Sequence, residues 1–292
     1  MKDGFIENKD YKTYYQIYGE ITENSIPLII LHGGPGGNLY TYEPLTKLSE
    51  YGTPVILYNQ HGSGESSIIN KVDSLYTIET FEDELDSLLT KLNVKSCHLL
   101  GHSWGGMLAL HYAINKNTKK IKSLILFSAL PSSRLWNEES LRMVNYIPTK
   151  SKEALMHFYN KEEYNQSCYK RGVKQFCKQH QRDKKRVSYV FGKKSPYKLN
   201  KDAYNLMWGD SELFCNGTLL DFDVVNNLKE IKLPTLILSG QEDESTPYMN
   251  KIMNDNINGS KWILYRNSQH VAYLQETEKV IKDLLSWFKE LK

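Results

Sequence analysis

The chain has 292 residues, 40% hydrophobic and 24% charged, and its 37 basic and 34 acidic residues leave a formal charge of +3. That is enough apolar material for a sizeable core, in one large domain or a domain with an insertion. The near-balance of charge argues against nucleic acid or an anionic membrane as partner, and no apolar run approaches the ~18 residues of a membrane span.

The opening stretch, MKDGFIENKDYKTYY, lacks the apolar run of a signal peptide. The four cysteines (Cys97, Cys168, Cys177, Cys215) fall in no metal-ligand spacing. Free thiols in a reducing cytoplasm are the expectation, with Cys168 and Cys177 pairing only in an oxidising compartment. Four short apolar runs bounded by turn signals predict buried parallel strands: Ile26 to Gly34, Thr53 to Gln60, Ser96 to Gly101 and Lys122 to Leu130. A fifth runs from Leu233 to Gly240. Between them, TIETFEDELDSLLTKLN predicts a helix capped by Thr77, with Phe81, Leu85, Leu88, Leu89 and Leu92 on one stripe. The final helix, ETEKVIKDLLSWFKELK, repeats the pattern through Val280, Ile281, Leu284, Leu285 and Phe288. Alternating strands and helices predict an α/β class with a doubly wound, mostly parallel sheet.

From Pro131 to Gly217 the rhythm breaks into charged, Tyr-rich helical patterns with no buried strand. The expected organisation is a core in two parts, 1–130 and 218–292, with a helical cap at 131–217 over the sheet's C-terminal edge, where open α/β sheets bind ligands. The basic run KQHQRDKKR (Lys178 to Arg186) reads as a solvated helix face in preference to a binding patch.

The chemistry concentrates at Gly101-His102-Ser103-Trp104-Gly105, between a predicted strand and an apolar helix. That context makes G-x-S-x-G a nucleophile elbow of the α/β-hydrolase fold, with Ser103 the candidate nucleophile. A serine hydroxyl needs a base to take its proton and an acid to orient that base, in the chain order serine, acid, histidine. Asp243, just past the fifth strand, is the candidate acid, in competition with Glu242, Glu244 and Asp223. His270, the only histidine beyond Asp243, is the candidate base, ahead of His111, His157 and His180. Candidate donors for the oxyanion are the backbone N–H groups of Trp104 and of Gly34, in the loop His32-Gly33-Gly34-Pro35-Gly36-Gly37. That loop has no following Lys-Ser/Thr, so it does not read as a phosphate cradle.

The motifs HGGPGG, YNQHGSGES, GHSWGGM and SGQEDESTP, in that order, resemble the proline iminopeptidase family, tricorn-interacting aminopeptidases included. The likeness runs from about Tyr14 to the C-terminus and takes in WGDSELFCNGTLLDF. It implies the triad Ser103, Asp243 and His270, and release of an N-terminal residue, often proline, from short peptides. It also implies that Glu212 and Glu244 bind the substrate's free amine. The chain departs from the family at Asn59, where Asp is common, at His61, and along the cap before Trp208. The reading is a serine aminopeptidase acting through an acyl-enzyme on a short peptide or aminoacyl small molecule, with no metal or organic cofactor; the oligomeric state is left open. The alternatives are an amino-acid amidase or small-ester hydrolase on the same triad, and a catalytically silent ligand-binding protein.

Overall fold

In the computed structural model, which describes residues 1–70, 73–161, 163, 166–189 and 195–291, the chain opens with a hairpin that the sequence patterns did not predict. Strand β1 (Lys2–Glu7) runs antiparallel to β2 (Lys12–Tyr18), and β2 runs antiparallel to the edge of the parallel sheet. β1 is exposed except at Gly4 and Ile6, and β2 is buried or half-buried throughout, so the wet edge of the sheet falls on β1.

The five expected strands follow: β3 (Leu28–Leu31), β4 (Val55–Tyr58), β5 (Cys97–His102), β6 (Ile121–Phe127) and β7 (Thr235–Gly240), with β8 (Lys261–Tyr265) beyond them. The sheet order is β1-β2-β4-β3-β5-β6-β7-β8, parallel from β4 to β8. Each central strand is buried on both faces, so alternate residues feed two cores. Ile29, Leu31, Leu99 and Leu126 join one with helices α1 (Ile78–Lys91) and α2 (Trp104–Asn115). Leu28, Ile30, Leu100 and Phe127 join the other with the turns of Leu39–Tyr51 and the C-terminal helix.

Thr77 caps α1 as expected, its hydroxyl accepting from Thr80 N–H. Phe81, Leu85, Leu88 and Leu89 are buried, while Leu92 is the half-buried C-cap.

Between β6 and β7 the described residues form four α-helices: α3 (Ser133–Val144), α4 (Thr149–Tyr159), α5 (Ser167–His180) and α6 (Lys201–Met207). Residues 162, 164 and 165, inside one of the expected helical stretches, are outside the described residues. The first three of these helices have a small core of their own, built on Val144, Leu155, Tyr169 and Phe176 together with Phe214, while Met207 of α6 joins the core shared with α1 and α2. The chain closes with α7 (Pro247–Asn256), α8 (Ala272–Gln275) and α9 (Thr277–Glu290). In α9 Trp287 is buried while Leu285 is only half-buried, so the predicted stripe is rotated by a fraction of a turn. Lys292 is outside the described residues. No described helix is long and apolar enough to cross a membrane.

Candidate active site

Strand β5 ends at His102, and the chain turns through Ser103 into α2. Ser103 sits at φ 55°, ψ −120°, a left-handed conformation that residues with side chains rarely adopt. The tight turn depends on its neighbour: a Cβ on Gly105 would collide with the backbone of Leu31 and His32. Ser103 N–H donates to Phe127 O (3.0 Å), and Ser103 O accepts from Gly106 N–H (2.8 Å). These bonds hold the elbow while the hydroxyl itself is left free of hydrogen bonds among the described residues.

His270 lies in the loop between β8 and α8, 5% exposed, with Nδ1 2.7 Å from Asp243 Oδ1. Asp243 is 1% exposed and three more donors converge on it. Ser245 N–H reaches Oδ1 at 2.7 Å, and the Ser128 hydroxyl and Gly240 N–H reach Oδ2 at 2.6 and 3.3 Å. A carboxylate only accepts, so Nδ1 of His270 carries the proton toward Asp243 and Nε2 is turned to the cavity.

The competing acids are placed elsewhere. Glu242 pairs with Arg186 at the surface, Asp223 accepts from Ser132 and from Val225 N–H, and Glu244 lies on the opposite side of His270. Of the competing histidines, His111 on α2 pairs with Glu82 of α1, His180 bonds the Glu242 carbonyl, and His157 lies on α4.

A cavity of about 300 Å³ opens over these groups. Ser103, Trp104, Gly34 and His270 line its floor; Gln181, Tyr204, Trp208 and Glu212 line the helical side. Trp104 N–H, at the first position of α2, has no acceptor within its helix. Gly34 holds φ 55°, which turns its own N–H free of any acceptor among the described residues. Both are poised as donors to a ligand.

Glu212 and Glu244 enter from opposite sides and meet at one nitrogen. Gln181 Nε2 donates to Glu212 Oε1 at 2.9 Å and to Glu244 Oε1 at 3.3 Å. The Tyr204 hydroxyl donates to Glu212 Oε2 at 3.1 Å. Glu244 also faces His270, with Oε1 3.6 Å from Nε2. Burial pushes the Glu244 carboxyl up to about 7, with the charges of Glu212 and Asp243 adding to it against the pull of His270. Burial by itself would depress the His270 imidazole. The negative charges of Asp243, Glu244 and Glu212, with the Asp243 hydrogen bond, outweigh it and raise the group to about 9, above the ordinary value near 6.5.

Comparisons with known proteins identify the family. Residues 26–277 match the model of the alpha/beta hydrolase fold family. A proline iminopeptidase of Clostridioides difficile is 38% identical over 287 residues, covering 98% of each chain. One of Lactobacillus acidophilus is 39% identical over 280 residues, covering 95% of this chain and 94% of its own. The chain belongs to the proline iminopeptidase family of α/β hydrolases. Two solved structures share the family fold over nearly the whole chain. They are VinJ (TM-score 0.87, 28% identity, 100% and 99% of the two chains) and the proline iminopeptidase of Mycobacterium smegmatis (TM-score 0.85, 25% identity, 99% and 98%). This family member is therefore a hydrolase of the proline iminopeptidase type.

Its departures from the family pattern are absorbed structurally. Asn59 Oδ1 accepts from Leu39 N–H at 2.8 Å, beside the glycine loop. His61 is fully buried against Glu84, at 3.0 Å, and stacks on Phe81.

The sequence patterns missed three parts of the site. Gln181 falls in the run read as a solvated helix face, but the helix ends at His180, and Gln181 turns into the cavity while His180 is buried. Ser128 supports Asp243 from the end of β6, marked in sequence only by a polar residue closing an apolar strand. His102, the elbow's second residue, is buried between Tyr42 and His270. Its Nε2–H donates to the His270 carbonyl (2.9 Å), so Nδ1 accepts from the Tyr42 hydroxyl (2.8 Å), which in turn accepts Gly33 N–H (2.7 Å). Burial keeps this imidazole well below its ordinary pKa and therefore neutral.

Proposed function

We propose that this serine aminopeptidase releases an unblocked N-terminal residue, proline or another small apolar residue, from short peptides through an acyl-enzyme on Ser103. The observation that carries the reading is the pair of carboxylates, Glu212 and Glu244, gathered on one donor beside His270 in the cavity that contains Ser103. Two carboxylates facing one cavity, Glu244 buried and Glu212 half-buried, repel and are costly to desolvate unless a cation joins them, and a substrate ammonium is such a cation.

In this mechanism Ser103 Oγ attacks the scissile carbonyl while His270 Nε2 takes its proton. Asp243 holds the imidazole in the required tautomer and stabilises its cation. The N–H groups of Gly34 and Trp104 receive the developing oxyanion. The C–N bond then breaks, the leaving amine takes the proton from His270, and water repeats the sequence to free the amino acid. Segment 131–217 acts as the cap, bringing Tyr204, Glu212 and Gln181 over the floor. Leu130, Trp136 and Trp208 offer an apolar wall suited to a compact ring. A cytoplasmic setting suits the four unpaired thiols.

The test is a panel of aminoacyl-coumarin amides and short peptides set beside prolinamide. The reading predicts peptide cleavage with prolyl or other small apolar residues first. Turnover of prolinamide with no peptide cleavage would assign an amino-acid amidase instead.

A further inference from the structure

His270 is placed between two carboxylates, which does not set the triad for attack. His270 Nδ1 is bound to Asp243, but Nε2 faces Glu244 Oε1 at 3.6 Å, with the two side chains 6% and 5% exposed. An imidazole between two carboxylates is best satisfied as an imidazolium, with one N–H toward each, and an imidazolium cannot take a proton from serine. One backbone oxygen fixes this arrangement: His180 O accepts both Glu244 N–H (3.2 Å) and His270 N–H (3.3 Å).

We propose that the substrate's ammonium is a switch as well as a handle: seated between Glu212 and Glu244, it takes Glu244 from His270 and frees Nε2 to act as the base toward Ser103. The inference rests on the aminopeptidase reading of the two glutamates. A prolyl ammonium carries two N–H donors and a primary ammonium three, enough to replace the two bonds of Gln181 Nε2 between the carboxylates. Its positive charge also opposes a second cation a few ångströms away. Binding of a protonated amine to the imidazolium enzyme therefore releases one proton to water, leaving the imidazole neutral. A blocked or amine-free substrate lacks this effect and meets a base that is largely occupied.

The other groups around His270 do not supply the switch. From β5, His102 lies ring to ring at 4.8 Å and is kept neutral by its burial. From α3, Trp136 presents an uncharged edge at 6.2 Å. From α5, the His180 ring is turned to the Glu242 carbonyl and held below its ordinary pKa by burial. Arg182 lines the same cavity from an exposed position. Asp243 is engaged on Nδ1 in either state, so Glu244 and Glu212 are the charges a ligand can neutralise. The elevation of His270 to about 9 agrees with the geometry.

The experiment follows the His270 imidazole by NMR in the full-length Ser103→Ala protein, titrated in pH with and without saturating L-prolinol, which has the free amine and no bond to cleave. The expected result is a fall of at least one pH unit in the His270 midpoint on binding. An unchanged midpoint with prolinol bound overturns the switch and leaves the aminopeptidase reading standing. Failure of prolinol to bind, with equal cleavage of blocked and free substrates, overturns both.

A second readout uses opposite signs. In Glu244→Gln, with Ser103 intact, kcat/KM for p-nitrophenyl acetate near pH 7 should rise, by about tenfold for each unit by which the base's midpoint falls. The same variant should lose kcat/KM on free-amine substrates, and the acidic limb of its ester profile should move to lower pH. A purely structural loss would depress both substrates together, and an ester rate that is unchanged or lower would overturn the proposal.

Discussion

The floor and the helical side of the cavity are built on different principles. The floor is a set of strand ends: Ser103 after β5, Ser128 after β6, Asp243 after β7 and His270 after β8. Ser103 N–H and Ser128 N–H are tied to carbonyls of the neighbouring strands, and His270 N–H to His180 O at the end of α5. The helical side is a set of long side chains, Gln181, Tyr204 and Glu212, joined by hydrogen bonds to Glu212. Gln181 follows α5 and Glu212 precedes Leu213 and Phe214, both beside the separate small core, while Tyr204 lies on α6. Rigid strand ends suit groups that must meet within a fraction of an ångström. Side chains on a semi-independent layer suit recognition, where the shape of the ligand varies. Under the proposed function, reaction class and substrate choice reside in separable parts of this molecule, so substitutions in the two parts should have distinguishable signatures.

The largest expected effects are on the floor. Ser103→Ala and His270→Ala should each lower kcat by roughly 10⁴ or more on every substrate, blocked or free, because the three groups act as a unit. Asp243→Asn should be nearly as damaging through the wrong imidazole tautomer. Steady-state assays on one amide and one ester check this, and a larger loss in Asp223→Asn than in Asp243→Asn would reassign the acid.

Substitutions on the helical side should be smaller and selective. Charge-assisted hydrogen bonds are worth about 1.5–3 kcal/mol, so Glu212→Ala should lower kcat/KM roughly 10- to 150-fold on free-amine substrates. Hydrolysis of a simple acetate ester, which has no ammonium to place, should hardly change. Equal losses on both would remove the distinction between the two parts.

The smallest effect tests the network beneath both. Tyr42→Phe leaves Gly33 N–H and His102 Nδ1 without their partner in a buried site, which should cost about 1–3 kcal/mol of stability. Denaturant unfolding reads this directly, and an unchanged midpoint would show that the Tyr42–His102 chain carries no load.

How far the sequence revealed these parts follows the same division. Buried parallel strands write themselves as apolar runs, and the elbow needs glycine and serine at fixed offsets, so the floor could be read from β3 to Asp243. The β1–β2 hairpin escaped because a half-wet edge leaves only a weak alternation among charged residues. The rotation of α9 escaped because a tryptophan and a leucine, Trp287 and Leu285, are equally apolar in pattern and only packing decides between them. Gln181 escaped for a different reason. A neutral residue inside a basic run has no signal of its own, and its role exists only where the end of α5 meets the segment carrying Glu212. The resemblance singled out Glu244, but its 3.6 Å approach to His270 was not legible, because contacts between side chains on adjoining loops have no periodicity to read.

The most direct test of the account compares kcat/KM for L-prolyl-coumarin amide and its N-acetyl derivative, in the wild type and in Glu212→Ala. The account predicts that the wild type prefers the free amine by at least about tenfold, the gain expected from a charge-assisted hydrogen bond, and that most of this preference disappears in Glu212→Ala. Equal hydrolysis of the two substrates by the wild type would contradict it, leaving a serine hydrolase with no recognition of the N-terminus.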